Sequence, residues 1–294
     1  MLKTRVIPVL LWDGKQAVQS VHFKRPHRPV GSMMQLVENF ERRQIDELII
    51  LDVEATKERR EPLYEEIKEY TSKLFCPLTV GGGVVDLKTI ENLLLAGADK
   101  VAINTALLEN SDFIYEAARK FGSQCIVASI NNIYDHGVNI ICSSDGTQTQ
   151  VVPTRHVCKF AEELGAGEIL LTDVYANGTL KGYNTDLIAE CSNYVSIPVI
   201  ANGGCGTLQH VEDALHVGAS AIAASSMFLF RDITPKDVSR HLHKKGFPAR
   251  IDTPVPLTPE EIIDNWELLR RIKITPKRRE FFLKLLRESD GQIN

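Results

Sequence analysis

The sequence lacks any long hydrophobic run. None of its apolar stretches approaches the roughly 18 consecutive residues that a membrane-spanning helix needs. The first 14 residues carry too short an apolar run for the hydrophobic region of a secretory signal, and they contain no small-residue cleavage site. We therefore expect a soluble, cytoplasmic protein that has no membrane partner.

The sequence also lacks metal-site patterns and an excess of charge of one sign. Its six cysteines are scattered, with no C-x-x-C pair and no histidine at zinc-ligand spacing. We expect reduced thiols, no metal and no cofactor. The net charge of −4, from 34 basic and 38 acidic residues, gives no general attraction to nucleic acid.

What the sequence does contain is an alternation of short apolar runs with helical patterns. The apolar runs are RVIPVLL, ELIILDV, PLTVGG, KVAIN, CIVASI, EILLTDV, IPVIANGG and SAIAASS. Segments with helical periodicity lie between them, including 61–74, 87–96, 110–121, 154–164, 208–217 and 234–245. Eight strands that are apolar on both faces and alternate with helices predict a parallel sheet covered by helices.

An internal repeat favours one architecture for this sheet. An offset of 121 residues superposes residues 77–108 on 198–229 and residues 46–55 on 167–176. Two halves of about 120 residues predict a (β/α)8 TIM barrel, built from two duplicated half-barrels over residues 1–250. An open doubly wound sheet is the alternative.

Residues 251–294 follow the repeat and are predicted to form a linker and a two-helix C-terminal extension. Thr258-Pro259 and Thr275-Pro276 each place an N-cap hydroxyl before a proline at the first helical position. The segments that follow have amphipathic spacing. The extension either caps the barrel or docks a partner or a second copy of the chain.

Two glycine turns at predicted strand ends have the features of phosphate cradles. Glycine lets backbone N–H groups approach an anion closely. Small polar donors follow each turn about 22 residues later. The first cradle is Gly82, Gly83, Asn104 and Thr105, and the second cradle is Gly203, Gly204, Ser225 and Ser226. Two such sets predict a phosphorylated small molecule with a phosphate at each end; the alternative is two structural turns inherited by duplication.

An insert follows the predicted fifth strand. Residues 131–150 are expected to form a hairpin with its turn at SDGT, residues 144–147. The insert either covers the active face as a lid or is a solvated loop.

Several motifs in order resemble those of the HisF family, the cyclase subunits of imidazole glycerol phosphate synthase. They are LTVGGG, AGADKVAINTA, FGSQCIV, ELGAGEILLTD, NGTLKGYN, IPVIANGG and AASSMF, and the resemblance covers residues 1 to about 246. It implies a barrel whose two phosphate sites hold a bis-phosphorylated ribonucleotide, with Gly178 and Thr179 at the second site. It also implies that ammonia from a separate HisH-like glutaminase enters at the bottom of the barrel.

The same resemblance implies two aspartates as general acid and base, at the ends of strands 1 and 5, and here the sequence departs from the family. Leu11 stands at the first aspartate position and Asn131 at the second. Neither side chain can transfer a proton at neutral pH. Gln19 stands where the family usually has lysine, and Asn177 where an aspartate usually precedes Gly178. The ordinary cyclase reaction is therefore not expected.

The opposite end of the barrel matches the family. Four charged residues stand immediately before the apolar runs of strands 1, 2, 4 and 6, and we call them the charged ring: Arg5, Glu47, Lys100 and Glu168. In the family these positions form the gate through which ammonia enters. Asp99 and Gln124 likewise match positions near the glutaminase contact. The alternative is that the four charges only solvate the bottom rim.

An intact ammonia gate without the proton-transfer pair favours delivery of ammonia elsewhere. One branch of the family, the HisF-like proteins associated with glycosyl amidation (WbuZ), resembles this chain at 21–40, at 51–61 and in the apolar residue at position 11. This resemblance implies an ATP-dependent amidotransferase partner that modifies a surface-polysaccharide sugar, as in O-antigen biosynthesis.

Two other functions stay open. The chain could be a genuine cyclase of histidine biosynthesis with relocated acid–base groups, for which Asp13, Asp52 and Asp173 are the nearby carboxylates. Alternatively, it could be a non-catalytic activator of a glutaminase.

Overall fold

The computed structural model describes residues 3–109, 111–142 and 149–250. The predicted extension at 251–294 and the predicted turn at 144–147 lie outside these residues, so both stay predictions. Across the described residues, no helix is long and apolar enough to cross a membrane.

The elements alternate along the chain as predicted. In the described residues the strands are β1 (Arg5–Trp12), β2 (Ala17–Gln19), β3 (Arg28–Gly31), β4 (Leu48–Asp52), β5 (Leu78–Gly81), β6 (Lys100–Ile103), β7 (Ile126–Asp135), β8 (Val138–Cys142), β9 (Thr149–Pro153), β10 (Glu168–Asp173), β11 (Val199–Asn202) and β12 (Ala221–Ala224). The helices are α1 (Met33–Arg42), α2 (Ala55–Glu58), α3 (Tyr64–Thr71), α4 (Leu87–Leu95), α5 (Thr105–Glu109), α6 (Ser111–Phe121), α7 (Thr154–Glu163), α8 (Thr185–Ser192), α9 (Leu208–His216), α10 (Ser226–Phe230) and α11 (Pro235–Lys244).

Eight of these strands close into a parallel barrel. Around the barrel the order is β1, β4, β5, β6, β7, β10, β11 and β12, and β12 pairs with β1 again. The pairing of β7 with β10 joins the two half-barrels on the other side. Because every barrel strand has two parallel neighbours, the predicted (β/α)8 barrel is confirmed and the open doubly wound sheet is excluded.

Six helices fall inside the segments with helical periodicity, namely α3, α4, α6, α7, α9 and α11. Two further helices, α1 and α8, complete the covering layer but were not among those segments. Helix α8 is an eight-residue helix that ends at Ser192. Helix α1 is separated from β1 by the β2–β3 hairpin, which interrupts the simple strand–helix alternation.

Side chains alternate across each barrel strand, which decides what lies inside. In β1, Val6 and Leu10 pack against the helices in the main core, while Ile7 and Val9 belong to a smaller cluster inside the barrel. Both faces are therefore apolar, as the sequence predicted. Since the period is two residues, Arg5 and Leu11 lie on the inward face at opposite ends of the strand.

The duplication is visible in the helix caps. The Asp86 side chain accepts a hydrogen bond of 2.7 Å from the backbone of Thr89 at the start of α4. Its repeat mate Thr207 accepts one of 3.3 Å from the backbone of His210 at the start of α9. Two residue types thus satisfy the same exposed N–H group at equivalent positions.

Two antiparallel excursions rise from the carboxyl ends of β1 and β7. Strand β2 pairs with β1 and with β3. Strand β8 pairs with β7 and with β9, so the predicted insert after the fifth barrel strand is antiparallel as expected. Its first turn is at His136-Gly137, which the sequence reading did not predict; both residues have positive φ.

Candidate functional site

A cavity of about 470 Å³ opens at the carboxyl ends of the barrel strands. Active sites of (β/α)8 barrels form at this end, from the strand ends and the loops that follow. The cavity wall includes six residues predicted from the sequence: Leu11, Gly82, Gly83, Asn104, Thr105 and Asn131. We call this space the top cavity.

Leu11 and Asn131 both lie in the wall of the top cavity. Leu11 is in register with Leu51 of β4 and Val18 of β2. Asn131 is 6% exposed and is in register with Thr172 of β10. An alkyl group and an amide therefore face the space in which a barrel enzyme places proton-transfer groups.

The first cradle combines backbone geometry with a buried acceptor that lacks a partner. Gly82 and Gly83 have φ of +106° and +69°, and a Cβ on Gly82 would lie 2.2 Å from the carbonyl oxygen of Asp52. Asn104 Nδ2 donates a hydrogen bond of 2.6 Å to the carbonyl oxygen of Ser129. Among the described residues, the buried Oδ1 of Asn104 has no hydrogen-bond partner. A polar group that enters the cavity could satisfy it.

The second cradle surrounds a separate cavity of about 20 Å³. Its wall includes five predicted residues: Gly178, Gly203, Gly204, Ser225 and Ser226. Ser225 is the repeat mate of Asn104, and its buried hydroxyl likewise has no partner among the described residues. Thr179 is not in the wall of either cavity that the described residues form; its hydroxyl instead donates a hydrogen bond of 2.7 Å to Ala176. The assignment of Thr179 to the second phosphate site therefore stays a prediction.

Gly82 gives a direct test of the first cradle. Gly82→Ala is expected to destabilise the protein by about 1–3 kcal/mol from left-handed backbone strain, with a further cost from the clash against Asp52. Gly137→Ala is the matched control, because Gly137 has φ of +86° but nothing within 4 Å of its Cβ position. Denaturant unfolding should show the larger loss for Gly82→Ala; equal losses would contradict the close approach.

Three nearby carboxylates have structural partners. Asp52 Oδ1 accepts a hydrogen bond of 2.9 Å from the backbone of Ala55, and Asp52 Oδ2 lies 2.9 Å from Arg60 Nη2. Asp173 Oδ1 accepts a hydrogen bond of 2.8 Å from the backbone of Ala176, and its Oδ2 accepts one of 2.6 Å from the side-chain amide of Asn184.

Asp13 has a similar role at the end of β1. Its Oδ1 accepts hydrogen bonds of 2.9 and 2.8 Å from the backbones of Lys15 and Gln16, which closes the turn into β2. Of the three carboxylates suggested as relocated acid–base groups, Asp52 alone is among the residues that line the top cavity. Its pairing with Arg60 occupies the carboxylate.

The mouth of the top cavity holds charged residues that sequence reasoning missed. Arg25, His27 and Arg59 contribute to the wall. Arg25 Nη1 lies 2.5 Å from Glu54 Oε2, and His27 Nε2 lies 3.3 Å from Glu54 Oε1. Burial lowers the pKa of His27, opposed by Glu54 and assisted by Arg25. Arg25 and His27 lie between β2 and β3, and Arg59 follows α2 in the segment after β4. Their position in loops was the one signal in the sequence.

The charged ring is assembled at the opposite end of the barrel. Arg5 bridges the two glutamates, at 2.7 Å to Glu47 and 2.8 Å to Glu168, and Lys100 bridges the same pair at 3.0 Å to each. The Glu47 side chain is 2% exposed, and it also accepts a hydrogen bond of 2.9 Å from the Thr79 hydroxyl. Burial opposes the charge on Arg5, but Glu168 and Glu47 outweigh it and raise the pKa of Arg5.

Apolar side chains occupy the barrel between the charged ring and the top cavity. This inner cluster consists of Ile7, Val9, Ile49, Ala102, Val127, Leu170, Ile200, Ala221 and Ala223, with Leu11 and Leu51 packed against it. The interior therefore changes from charged to apolar to polar along the barrel axis.

Asp99 and Gln124 are exposed near the charged-ring end. Asp99 directly precedes β6, and its Oδ2 accepts a hydrogen bond of 2.8 Å from the backbone of Leu78 at the start of β5. Gln124 directly precedes Cys125, before β7 begins. Phe75, which the sequence reading did not select, precedes β5 and is 93% exposed. Aromatic residues are enriched at the cores of protein interfaces.

Within residues 3–109, 111–142 and 149–250, no group of three or more His, Cys, Asp or Glu side chains could hold a metal ion.

The fold and its openings define a duplicated (β/α)8-barrel protein with a cavity at one end and a ring of charges at the other. Residues 5–234 match the family model described as histidine biosynthesis protein. The chain belongs to that family and, within it, to the HisF family of barrels.

Named relatives span almost the whole barrel. The chain is 39% identical to the imidazole glycerol phosphate synthase subunit HisF of Thermobifida fusca, with 85% of this chain and 99% of the relative covered. It is 38% identical to the HisF subunit of Dictyoglomus thermophilum, with 86% and 100% covered. It is 40% identical to a Campylobacter jejuni protein provisionally named as subunit hisF2 of the same synthase, with 85% and 100% covered.

Proposed function

We propose that this chain is the ammonia-receiving subunit of a glutamine amidotransferase of the imidazole glycerol phosphate synthase type. A HisH-like glutaminase would supply ammonia at the charged ring, and a phosphorylated ligand would occupy the top cavity. The observation that carries this proposal is the closed set of four ion pairs at the amino ends of the same strands whose carboxyl ends line the cavity.

The charged ring suits a small neutral cargo. Two positive and two negative side chains neutralise one another, so the ring presents no net charge to an approaching molecule. Burying such charges is costly unless they are paired, and here each member contacts two of opposite sign. A ring that only solvated the rim would not need Glu47 to be almost completely buried.

The surface around the ring suits a protein partner. Asp99, Gln124 and the exposed ring of Phe75 provide polar and aromatic groups at this end. Aromatic residues are enriched at the centres of protein interfaces, with polar groups at their rims. We infer that a glutaminase docks here.

The first candidate for the use of the ammonia is cyclisation of a bis-phosphorylated ribonucleotide, the reaction of histidine biosynthesis. The relatives named above are imidazole glycerol phosphate synthase subunits, so the comparisons favour this use over sugar amidation. Two cradles on one barrel face fit a ligand with a phosphate at each end.

The second candidate is delivery of ammonia to another acceptor, such as a sugar bound to a partner amidotransferase. Leu11 and Asn131 favour it, because neither side chain can act as the acid or base of cyclisation. This candidate would place the chain with the WbuZ branch.

One assay distinguishes the two uses. The purified chain is supplied with the bis-phosphorylated ribonucleotide and ammonium salt, and formation of imidazole glycerol phosphate is followed. Turnover within about tenfold of typical enzyme rates, a median near 10 s⁻¹, supports cyclisation. Rates lower by about 10² or more support a different acceptor.

The Lys100→Met variant, assayed in the complex with the glutaminase, distinguishes a non-catalytic activator from the two ammonia-using candidates. This variant keeps the length of the side chain and removes one charge of the ring. We expect glutamine hydrolysis and delivery of the released nitrogen to the barrel product to change together. A change in hydrolysis alone would favour the activator.

A further inference from the structure

The two cradles share a backbone design but differ in charge. The 121-residue offset relates Asp52 to Asp173 and Ala55 to Ala176. In each half, the aspartate accepts a hydrogen bond from the backbone of the mated alanine, at 2.9 and 2.8 Å. The loops after β4 and β10 therefore keep the same conformation at their start.

The same symmetry relates Arg59 to Leu180. Both are non-glycine residues in the left-handed region, with φ of +51° and +61°, a conformation that is rare for bulky side chains. Each is also in a cavity wall: Arg59 in the top cavity beside the first cradle, and Leu180 in the small cavity of the second cradle. Equivalent backbone positions thus present a cation to one cradle and an alkyl group to the other.

Two neighbouring arginines are already paired with carboxylates, whereas Arg59 is not. Arg60 pairs with Asp52 and Glu58, and Arg25 pairs with Glu54. Among the described residues, Arg59 has no ion pair and no side-chain hydrogen bond.

The second cradle has no equivalent of Arg59 among the described residues that line its cavity. The described residues that line the small cavity include no charged side chain. The second cradle would hold an anion through uncharged groups: backbone N–H groups, the hydroxyls of Ser225 and Ser226, and the neighbouring amides of Asn177 and Asn202.

We propose that Arg59 is a specificity-determining residue that strengthens phosphate binding at the first cradle and so fixes the orientation of a ligand with a phosphate at each end. The inference rests on the proposed function, because it takes the cradles to be phosphate sites. A guanidinium matches the geometry of phosphate oxygens with two parallel N–H donors. The uncharged second cradle then takes the end of the ligand that fits its small volume.

The test is a titration of the full-length, ¹⁵N-labelled chain with inorganic phosphate, followed by NMR at the amides of Gly82 and Gly83 and of Gly203 and Gly204. In the wild type we expect the first pair to saturate at lower phosphate concentration. Arg59→Gln should raise the midpoint of the first pair by about 3- to 10-fold and leave the second pair unchanged. Added salt should weaken binding at the first cradle more than at the second.

Two further variants test whether the effect of Arg59→Gln comes from the loss of a positive charge at this position. Arg59→Lys keeps the charge and should hold the first midpoint within about threefold of the wild type. Arg42→Gln removes a cation from the exposed surface of α1 and should change neither midpoint.

The possible failures are distinguishable. Equal effects of Arg59→Gln on both cradles, or no effect on the first, would overturn the role of Arg59 while leaving phosphate binding intact. No response at either cradle in the wild type would contradict the phosphate sites themselves, and with them both the proposed function and this inference.

Discussion

Replacing Leu11 and Asn131 together by aspartate is expected to raise the rate of imidazole glycerol phosphate formation by about 10²- to 10⁴-fold, with ammonium salt as the nitrogen source. Both side chains line the top cavity, so both new carboxylates would face the ligand. A titratable group placed at the reacting atoms contributes a factor of this size because it supplies or removes a proton in the transition state.

The control for polarity is Leu11→Asn, which adds an amide without a titratable proton. It should leave the rate of the wild type essentially unchanged. If the wild type already turned over as fast as the double-aspartate variant, another group would have to carry out the proton transfer, and His27 would be the first to examine because it lines the same cavity.

Replacing Glu47 by alanine is expected to lower the free energy of unfolding by about 3–5 kcal/mol. The variant leaves Arg5 and Lys100 with Glu168 as their shared partner, and it leaves the Thr79 hydroxyl without its acceptor. Removing one partner of a buried ion pair is costly because the remaining charges stay out of water. Urea unfolding of the full chain measures the loss.

Glu65→Ala is the matched control for this variant. Glu65 is an exposed glutamate on α3, and its removal should change the free energy of unfolding by no more than about 0.5 kcal/mol. Similar small losses for both variants would show that the charged ring does not hold the bottom of the barrel together.

The barrel could be predicted because the same strand–helix pattern occurs twice along the chain. The 121-residue offset and the alternation of strands and helices depend on local sequence, and the closed barrel followed from them. The charged ring was predicted for the same reason: Arg5 and Glu47 each directly precede an apolar run, and parallel strands bring their amino ends together.

The mouth of the cavity could not be predicted in this way. The pairing of Arg25 and His27 with Glu54 joins the loops after two different strands, and no periodic pattern fixes how those loops approach. The contrast between Arg59 and Leu180 was present in the repeat, but its meaning depends on both residues having positive φ beside a cavity. The hydroxyl of Thr179 donates a hydrogen bond within its own loop, and its place at the second phosphate site stays a prediction.

The central claim is that this barrel takes ammonia from a glutaminase, and glutamine hydrolysis measures it most directly. A HisH-like glutaminase is assayed alone and with an equimolar amount of the full chain. Assembly at the charged-ring end predicts a rise in hydrolysis of about 5-fold or more, the lower range of ordinary coupling between sites. An unchanged rate, together with no complex on size-exclusion chromatography, would contradict the claim.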